Sequence, residues 1–225
     1  LTTDLSSAEG EGEIFYSDSA GDFKVGAAGA SWSSGSPQTT ARDNTAGFGL
    51  QTAAILLGGA QSPQALVEEY NGTGWSAGGN LNTARWYGTG MGLQTAGLCV
   101  SGYNAGNKEE VESYDGSTWT EVGDVNTARR TLAGFGLQGA AIIATGYASD
   151  SHVANAESWD GSSWTEVGDV NTARGGMGGG TACGTSTAGL IFSGHEPPTG
   201  RLANTESWDG SSWTEVGDLN NQGIG

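Results

Sequence analysis

Short apolar segments separated by glycine-rich polar segments run along most of the chain. Four of them are continuously apolar over four or five residues, at 53–57, 96–100, 140–144 and 189–192. Segments of this length suit strands that are buried on both faces, and are too short for helices. No segment combines a 3.6-residue apolar period with helix caps. The pattern therefore predicts an all-β protein.

A hairpin-like unit follows each apolar segment. The thirteen residues from Glu157 to Asp169, ESWDGSSWTEVGD, recur letter for letter from Glu206 to Asp218, with a near copy from Glu112 to Asp124 and a diverged copy from Glu68 to Asn80. Each copy has Asp-Gly or Asn-Gly between two aromatic residues. We predict a tight two-residue turn with positive φ at both positions, flanked by two strands.

The second aromatic residue sets the repeat register. It falls at Trp75, Trp119, Trp164 and Trp213, and Trp32 lies in the same register, with spacings of 43, 44, 45 and 49 residues. Before each hairpin lie a glycine-punctuated strand, a turn and the apolar strand. Four strands, which we name a to d, in about 45 residues are typical of one β-propeller blade. In the fourth copy we predict a longer turn at 181–186.

Four blades are complete, and partial repeats remain at both ends. We predict that residues 1–12 form a tether and that residues 13–225 form the propeller. In the favoured arrangement a fifth blade combines a hairpin within 13–25, the Trp32 strand and residues 220–225, so that no strand edge is left open. The alternative is a ring of four blades with the N-terminal hairpin used for docking.

Pairs ending in glycine follow the apolar strands at Gly58-Gly59, Ser101-Gly102, Thr145-Gly146 and Ser193-Gly194. With the two spaced aromatic residues, they resemble a kelch-type repeat over roughly residues 31–218, which implies a β-propeller. The N-terminal EIFYSDSAGDFKV and the repeated NTAR and SWTEV also resemble kelch-like proteins of marine tailed phages. That resemblance implies an extracellular, non-enzymatic virion surface or fibre component. Its partners would be other copies of itself or other assembly proteins, with a host-surface glycan as an alternative ligand.

The net charge of −17 comes from 25 acidic against 8 basic residues. Such a surface repels phosphate backbones and anionic lipid, so we expect neither nucleic acid nor membrane insertion. No run of about 18 apolar residues occurs either. The two cysteines, Cys99 and Cys183, lie in or beside strand-like segments of different repeats, and we predict buried free thiols.

Four arginines close a T-A-R triplet ten residues after the hairpin tryptophan: Arg42, Arg85, Arg129 and Arg174. A glutamate precedes the last three by 17 residues, which predicts the pairs Glu68–Arg85, Glu112–Arg129 and Glu157–Arg174. Glu206 would lose its partner to Gly223. We expect these pairs to fix the geometry between blades. The alternative is that the arginines converge near the axis as an anion-binding site.

Recognition is expected where the repeat varies, because loops vary on a constant framework. The loops between strands b and c differ in every copy. Trp86 and Tyr87 also break the repeat, where the other copies have Asp-Asn, Arg-Thr and Gly-Gly. They are candidates either for core packing or for stacking on a sugar or a partner's ring.

No catalytic set, metal site or cofactor is predicted. The SWDGSSW unit differs in length from the Asp-box of sialidases, and the arginines alone would not make such an enzyme. A lyase or hydrolase of acidic sugars is the least favoured alternative. His152 and His195 are predicted to be isolated, solvated loop residues. Calcium at the GDxN turns, such as Asp124 with Asn126, is an alternative to simple turn capping.

Overall fold

The computed structural model describes residues 14–17, 22–25, 35–60, 65–175, 181–196 and 200–220. The chain divides into two compact units, Leu1–Gly35 and Ser36–Gly225. The first unit contains an antiparallel hairpin of β1 (Ile14–Ser17) and β2 (Asp22–Val25), which confirms the hairpin predicted within 13–25. The predicted tether 1–12, Trp32 and Gly223 lie outside the described residues.

The second unit contains four four-stranded antiparallel sheets, each in the order a-b-c-d. The first sheet has β3 (Ala46–Leu50), β4 (Ala53–Leu57), β5 (Val67–Tyr70) and β6 (Trp75–Ala77). The second has β7 (Thr89–Leu93), β8 (Ala96–Tyr103), β9 (Asn107–Tyr114) and β10 (Trp119–Val122). The third has β11 (Ala133–Leu137), β12 (Ala140–Ala144), β15 (Ala156–Trp159) and β16 (Trp164–Val167), and the fourth has β17 (Ala182–Thr185), β18 (Ala188–Phe192), β21 (Thr205–Trp208) and β22 (Trp213–Val216).

Two short hairpins that the sequence pattern did not predict lie in the b–c loops. They are β13 (Tyr147–Ala148) with β14 (Ser151–His152), and β19 (His195–Glu196) with β20 (Gly200–Arg201). No helix occurs among the described residues, which confirms the all-β prediction. It follows that this part of the chain holds no helix able to cross a bilayer.

The innermost strands bring the four sheets together. β3 contacts β7, β7 contacts β11, and β11 contacts β17. The starts of all four strands line one cavity of about 130 Å³, with Gly47, Gly90, Gly134 and Ala182 among its lining residues. Small residues allow strands to approach at such a convergence. Sheets that meet along their first strands in this way are typical of propeller blades.

Glycines on the inner strands leave room for an aromatic ring from the preceding sheet. A Cβ atom added to Gly97 would lie 2.2 Å from the ring of Phe48, and one added to Gly189 would lie 2.3 Å from the ring of Phe135. Phe48 also meets Trp119 edge-on, with the ring centroids 6.5 Å apart. The glycine content of these strands thus serves packing between sheets.

Each sheet presents one face to the sheet before it and one to the sheet after it, but two such faces are left partly uncovered. On the fourth sheet Cys183 is exposed, and Leu190 is 38% exposed although its equivalents Leu98 and Ile142 are buried. On the first sheet Trp75 is only half-buried. Among the described residues the prediction that Cys183 is buried was therefore wrong, because none of the described sheets packs over it. Cys99, between the first and second sheets, is buried as predicted.

The hairpin turn was predicted incorrectly. Tyr114 pairs with Trp119, so the loop has four residues rather than two. Within the loop only Gly116 has a positive φ, of 94°. The carboxylate of Asp115 shapes the loop, because its Oδ1 accepts hydrogen bonds from the backbone N–H groups of Ser117 and Thr118 at 2.9 and 2.8 Å. Such Asx contacts stabilise a wider turn.

The predicted long turn at 181–186 was also wrong. Residues Ala182–Thr185 form strand β17, and β17 pairs with β18 in the same register as its counterparts in the other sheets. A two-residue turn with positive φ at both positions does occur, at Ser149 and Asp150, where φ is 45° and 62°. It closes the β13–β14 hairpin in a b–c loop.

Candidate binding site at one edge of the sheets

A buried arginine–glutamate pair stabilises each sheet. Arg129 precedes β11, and its Nη2 donates to Glu157 Oε1 on β15 of the same sheet, with neither side chain exposed. Its Nε donates to the carbonyl of Thr127 at 3.2 Å, and its Nη1 donates to that of Asn155 at 2.8 Å. A buried guanidinium costs less free energy when its N–H groups are hydrogen-bonded, as these are. Burial lowers the pKa of the Arg129 guanidinium, and Glu157 opposes that shift.

An equivalent pair occurs in all four sheets, but each arginine has a different glutamate partner from the one predicted. The pairs are Arg42–Glu68, Arg85–Glu112, Arg129–Glu157 and Arg174–Glu206. Each arginine thus binds the glutamate of the sheet that it precedes. The predicted pairs to an upstream glutamate were wrong, and Glu206 does have a partner. The physical reason is that the arginine side chain reaches the end of strand b and the start of strand c of its own sheet, where Arg129 Nη1 donates to the carbonyls of Thr145 and Asn155.

The residues before each arginine complete the same carboxylate site. The backbone N–H and Nδ2 of Asn126 donate to Glu157 Oε2 at 2.7 and 2.9 Å, and the backbone N–H of Thr127 donates to Oε1 at 3.3 Å. This contact accounts for the recurring N-T-A-R motif. Calcium at the adjacent GDxN turns stays a prediction; no group of three or more His, Cys, Asp or Glu suited to a metal ion occurs in the described ranges.

In the first sheet threonine takes the place of asparagine. The backbone N–H and hydroxyl of Thr39 both donate to Glu68 Oε2 at 2.7 Å. Burial raises the pKa of Glu68, but the hydrogen bonds from Thr39 and Thr40 and the charge of Arg42 outweigh it and lower the pKa overall. The carboxylate is therefore held in its charged form.

The four predicted arginine candidates thus lie in the framework of their sheets. In the second, third and fourth sheets Nε, Nη1 and Nη2 of the arginine all donate to protein oxygens. A shared anion site formed by these arginines stays a prediction.

Beside this framework lie two positions that have the same backbone geometry in every sheet and different side chains. The residue after each arginine pairs with the residue after each glycine pair, as in Trp86 with Tyr103, Arg130 with Tyr147, and Gly175 with His195. In the first sheet the backbone N–H of Ala60 donates to the carbonyl of Asp43. We call each such pair of positions a slot. The framework therefore holds four equivalent slots, one per sheet, whose side chains differ from sheet to sheet.

The side chains in these slots form one continuous row across three sheets. We call it the aromatic–cationic row, and it consists of the slot residues Trp86, Tyr103, Arg130, Tyr147 and His195 together with His152 of β14. Trp86 meets Tyr103 edge-on at 5.3 Å between ring centroids. The Arg130 guanidinium carbon lies 4.8 Å from the Tyr103 centroid and 4.4 Å from that of Tyr147. Each of the six is half-buried, so each also faces solvent.

The row continues through the two histidines. Tyr147 meets His152 at 5.3 Å, and His152 lies 5.6 Å from His195 in the fourth sheet. A Cβ atom on Gly175 would come within 2.6 Å of His152, so the glycine leaves room for the imidazole. Burial and the neighbouring His195 lower the pKa of His152, and Glu196 partly opposes the shift. The prediction of two isolated histidines was wrong.

The predicted pair Trp86 and Tyr87 has two different roles. Trp86 belongs to the row. Tyr87 has φ of 59°, its N–H donates to the carbonyl of Asn44, and its own carbonyl accepts from Thr131. Asn44 and Thr131 also have positive φ, at 54°, so this position bridges adjacent sheets through the backbone. Whether either aromatic ring stacks on a ligand stays a prediction.

Basic residues are concentrated at this edge. Of the eight Lys and Arg residues, four are the framework arginines and Lys24 belongs to the first unit. The remaining three, Lys108, Arg130 and Arg201, lie on or beside the b–c segments next to the row. Lys108 forms an ion pair with Glu110 at 3.5 Å, and Arg201 pairs through its backbone with His195. These three basic residues of the second unit thus lie near the row, where Glu109, Glu110 and Glu196 accompany them.

Sequence reasoning identified Trp86 but missed Tyr103, Arg130 and Tyr147. The signal was present, since Tyr103, Tyr147 and His195 each directly follow a glycine pair and the first repeat has Ala60 there. Only the backbone pairing shows that these positions lie opposite the residue after each arginine.

Comparison with known proteins supports the fold alone. No protein-family model matches the chain, and no curated protein matches it. The structure of this chain is similar to the solved structure of YjhT, with a TM-score of 0.66 and 12% sequence identity. The match covers 82% of this chain and 68% of YjhT. At that identity the likeness concerns the arrangement of strands.

Proposed function

We propose that this chain is a non-enzymatic interaction module that presents the aromatic–cationic row to a partner. The observation that carries the proposal is the contrast between framework and slots. Arg and Glu recur unchanged in every sheet, whereas the slot beside them holds Asp43, Trp86, Arg130 or Gly175. A constant scaffold with varied, solvent-facing side chains at one edge suits recognition.

We further propose that the ring is closed by a fifth blade made from both chain ends. The uncovered face of the fourth sheet, with Cys183 and Leu190, corresponds to faces that are buried elsewhere. On the first sheet Trp75 is half-buried while its equivalent Trp119 is buried. These two faces do not cover each other, which supports an intervening blade over a direct four-bladed closure. The segment 13–34, with the β1–β2 hairpin and Trp32, is the proposed occupant.

The resemblance to kelch-like proteins of tailed phages supports a role as an extracellular virion surface or fibre component. In that setting the partner would be another copy of this chain, another assembly protein or a host-surface glycan. The half-exposed aromatic rings of Trp86, Tyr103 and Tyr147 specifically favour the glycan, because flat rings stack on sugar faces. We retain glycan binding as the second candidate function.

One experiment separates a binding module from a lyase or hydrolase. The full chain is incubated with a panel of neutral and acidic polysaccharides, and both retardation in affinity gels and the release of new chain ends are measured. We expect retardation of the protein without chain cleavage. Time-dependent release of chain ends would instead establish an enzyme and refute the non-enzymatic proposal.

A further inference from the structure

We propose that the aromatic–cationic row binds an anionic polysaccharide and discriminates by charge against the neutral polymer of the same backbone. This inference rests on the proposed function as an interaction module and specifies the ligand class for it. The juxtaposition that carries it is Arg130 held between the rings of Tyr103 and Tyr147, with Trp86 at one end of the row and His195 at the other.

Arg130 is built into the site rather than extended into solvent. Its Nη1 donates to Asn107 Oδ1 at 2.8 Å, and Asn107 Nδ2 donates to the carbonyl of Tyr147 at 3.0 Å. Its backbone also pairs with that of Tyr147. A guanidinium fixed in this way loses little conformational freedom when it binds a carboxylate or sulfate, and its planar donors can bind such a group with two hydrogen bonds.

The acidic net charge of the whole protein bears on which ligand could bind beside Arg130. A net charge of −17 repels polyanions in general. Nonetheless Lys108, Arg130 and Arg201 lie at the edge that carries both histidines. Lys108 is paired with Glu110, whereas the Arg130 guanidinium donates to the neutral Asn107. The charge of Arg130 therefore gives an anionic ligand a preferred site and orientation, since charge complementarity contributes specificity more than affinity.

The shape of the row favours a linear polymer with ring-shaped units. Aromatic rings lie on both sides of Arg130, the two histidines follow Tyr147, and all six side chains are half-buried. Aromatic faces accept the apolar faces of sugar rings, and the cationic groups between them accept acidic substituents. A single small anion would contact only Arg130, and the aromatic and histidine rings of the row would have no role in binding it.

The test compares carboxymethyl-dextran with unmodified dextran, which share one backbone and differ in charge. Binding by the full chain is measured by titration calorimetry and affinity gels, with new chain ends assayed in the same samples. We expect the charged polymer to bind about tenfold more tightly, as one charge-assisted hydrogen bond allows. Arg130→Gln removes this preference and leaves binding to dextran unchanged, and Arg130→Lys retains part of it.

Two further variants separate stacking from folding. Trp86→Ala weakens binding to both polymers, and Leu137→Gln changes neither, because Leu137 lies at the far end of β11 and is already 55% exposed. The melting temperature of each variant is measured alongside. Should Arg130→Gln fail to fold, Arg130→Lys still tests the preference for the charged polymer, and Trp86→Ala still tests stacking.

The outcomes are distinguishable. Equal binding of both dextrans would overturn the charge selectivity but leave the interaction module intact. Tighter binding of polyglutamate than of carboxymethyl-dextran would overturn the saccharide in favour of an acidic protein partner. Binding of neither dextran would overturn this inference alone, whereas cleavage of either polymer would overturn the proposed non-enzymatic function.

Discussion

Arg129 and Glu157 form an ion pair inside the third sheet, and both side chains are fully buried although 28 residues separate them in the chain. The arginine lies before strand a and the glutamate on strand c. The pair therefore connects the segment that leads into the first strand of the sheet to its third strand. Its repetition in four sheets makes it the common element of the framework.

Removing one charge of this pair should destabilise the protein strongly. Glu157→Gln leaves the Arg129 guanidinium buried opposite a neutral amide, and we expect a loss of about 3 kcal/mol, since breaking a buried ion pair costs about 3–5 kcal/mol. Urea unfolding measures the effect. The matched control is Glu109→Gln on β9, whose side chain is exposed and should change stability by less than about 0.5 kcal/mol. Equal effects of the two substitutions would contradict the framework role.

Gly97 should not tolerate a methyl group, because its Cβ would lie 2.2 Å from the Phe48 ring. We expect Gly97→Ala to destabilise by about 1–3 kcal/mol through overpacking between the first two sheets. Combining it with Phe48→Leu should restore part of the loss. Gly139→Ala is the control, because no atom lies within 4 Å of its added methyl group. Thermal unfolding of the four proteins checks the prediction, which fails if the double variant is no better than Gly97→Ala.

The hairpin loops should contribute to the pH dependence of stability in acid. The pKa of Asp160 is lowered to about 2 because the hydroxyl of Ser162 and the backbone N–H groups of Ser163 and Ser162 donate to its carboxylate. Asp115 and Asp209 are lowered to about 2 in the same kind of loop. A depressed carboxyl pKa gives stability that is present above the unfolded value of 3.8 and is lost as the pH falls towards about 2.

Replacing these three aspartates with asparagine tests that contribution. Asparagine keeps an acceptor oxygen but does not titrate, so the triple variant should lose stability less steeply between pH 3.8 and about 2. The measurement is the urea midpoint across this range. Parallel curves for the wild type and the triple variant would show that the loops do not contribute.

His152 should make the protein less stable below neutral pH. Burial and the neighbouring His195 lower its pKa from the ordinary value of 6.5. The unfolded chain therefore binds a proton more readily than the folded one. This stability is complete above pH 6.5 and declines as the pH falls through that value. Urea midpoints at about pH 7.5 and about pH 5.5 should differ less for His152→Asn than for the wild type.

Thiol reactivity tests the proposed fifth blade. If segment 13–34 covers the fourth sheet, Cys183 should react slowly with a thiol reagent in the full chain. Trp32→Asp should accelerate the reaction at least about tenfold, as a loss of roughly 1.4 kcal/mol in the covering contact predicts. Ser33→Asp is the matched control, since adjacent residues of the proposed strand would point to opposite faces. Cys99 serves as the internal standard, because burial raises its pKa to about 11. Rapid reaction of Cys183 in all three proteins would refute the closure.

The sequence by itself determined the repeat and most of the strands of the four sheets, but not β17 or the two short b–c hairpins. Apolar runs of five residues predicted β4 and β12 to the residue. The recurring aromatic pairs located the outer hairpins, because cross-strand packing demands them at fixed spacing. Local pattern was sufficient there, since each strand and hairpin is specified by residues within about fifteen positions of one another.

The tertiary structure decided what depends on contacts between distant residues. The Arg–Glu register differed from the expectation because spacing along the chain does not say whether a side chain lies under its own sheet or the previous one. Loop shape depended on the Asp115 carboxylate. The aromatic–cationic row brings together Trp86 and His195, which are 109 positions apart in the sequence. Only the packing of successive sheets, with Arg130 over the Tyr103 ring and His152 against His195, places such residues along one edge.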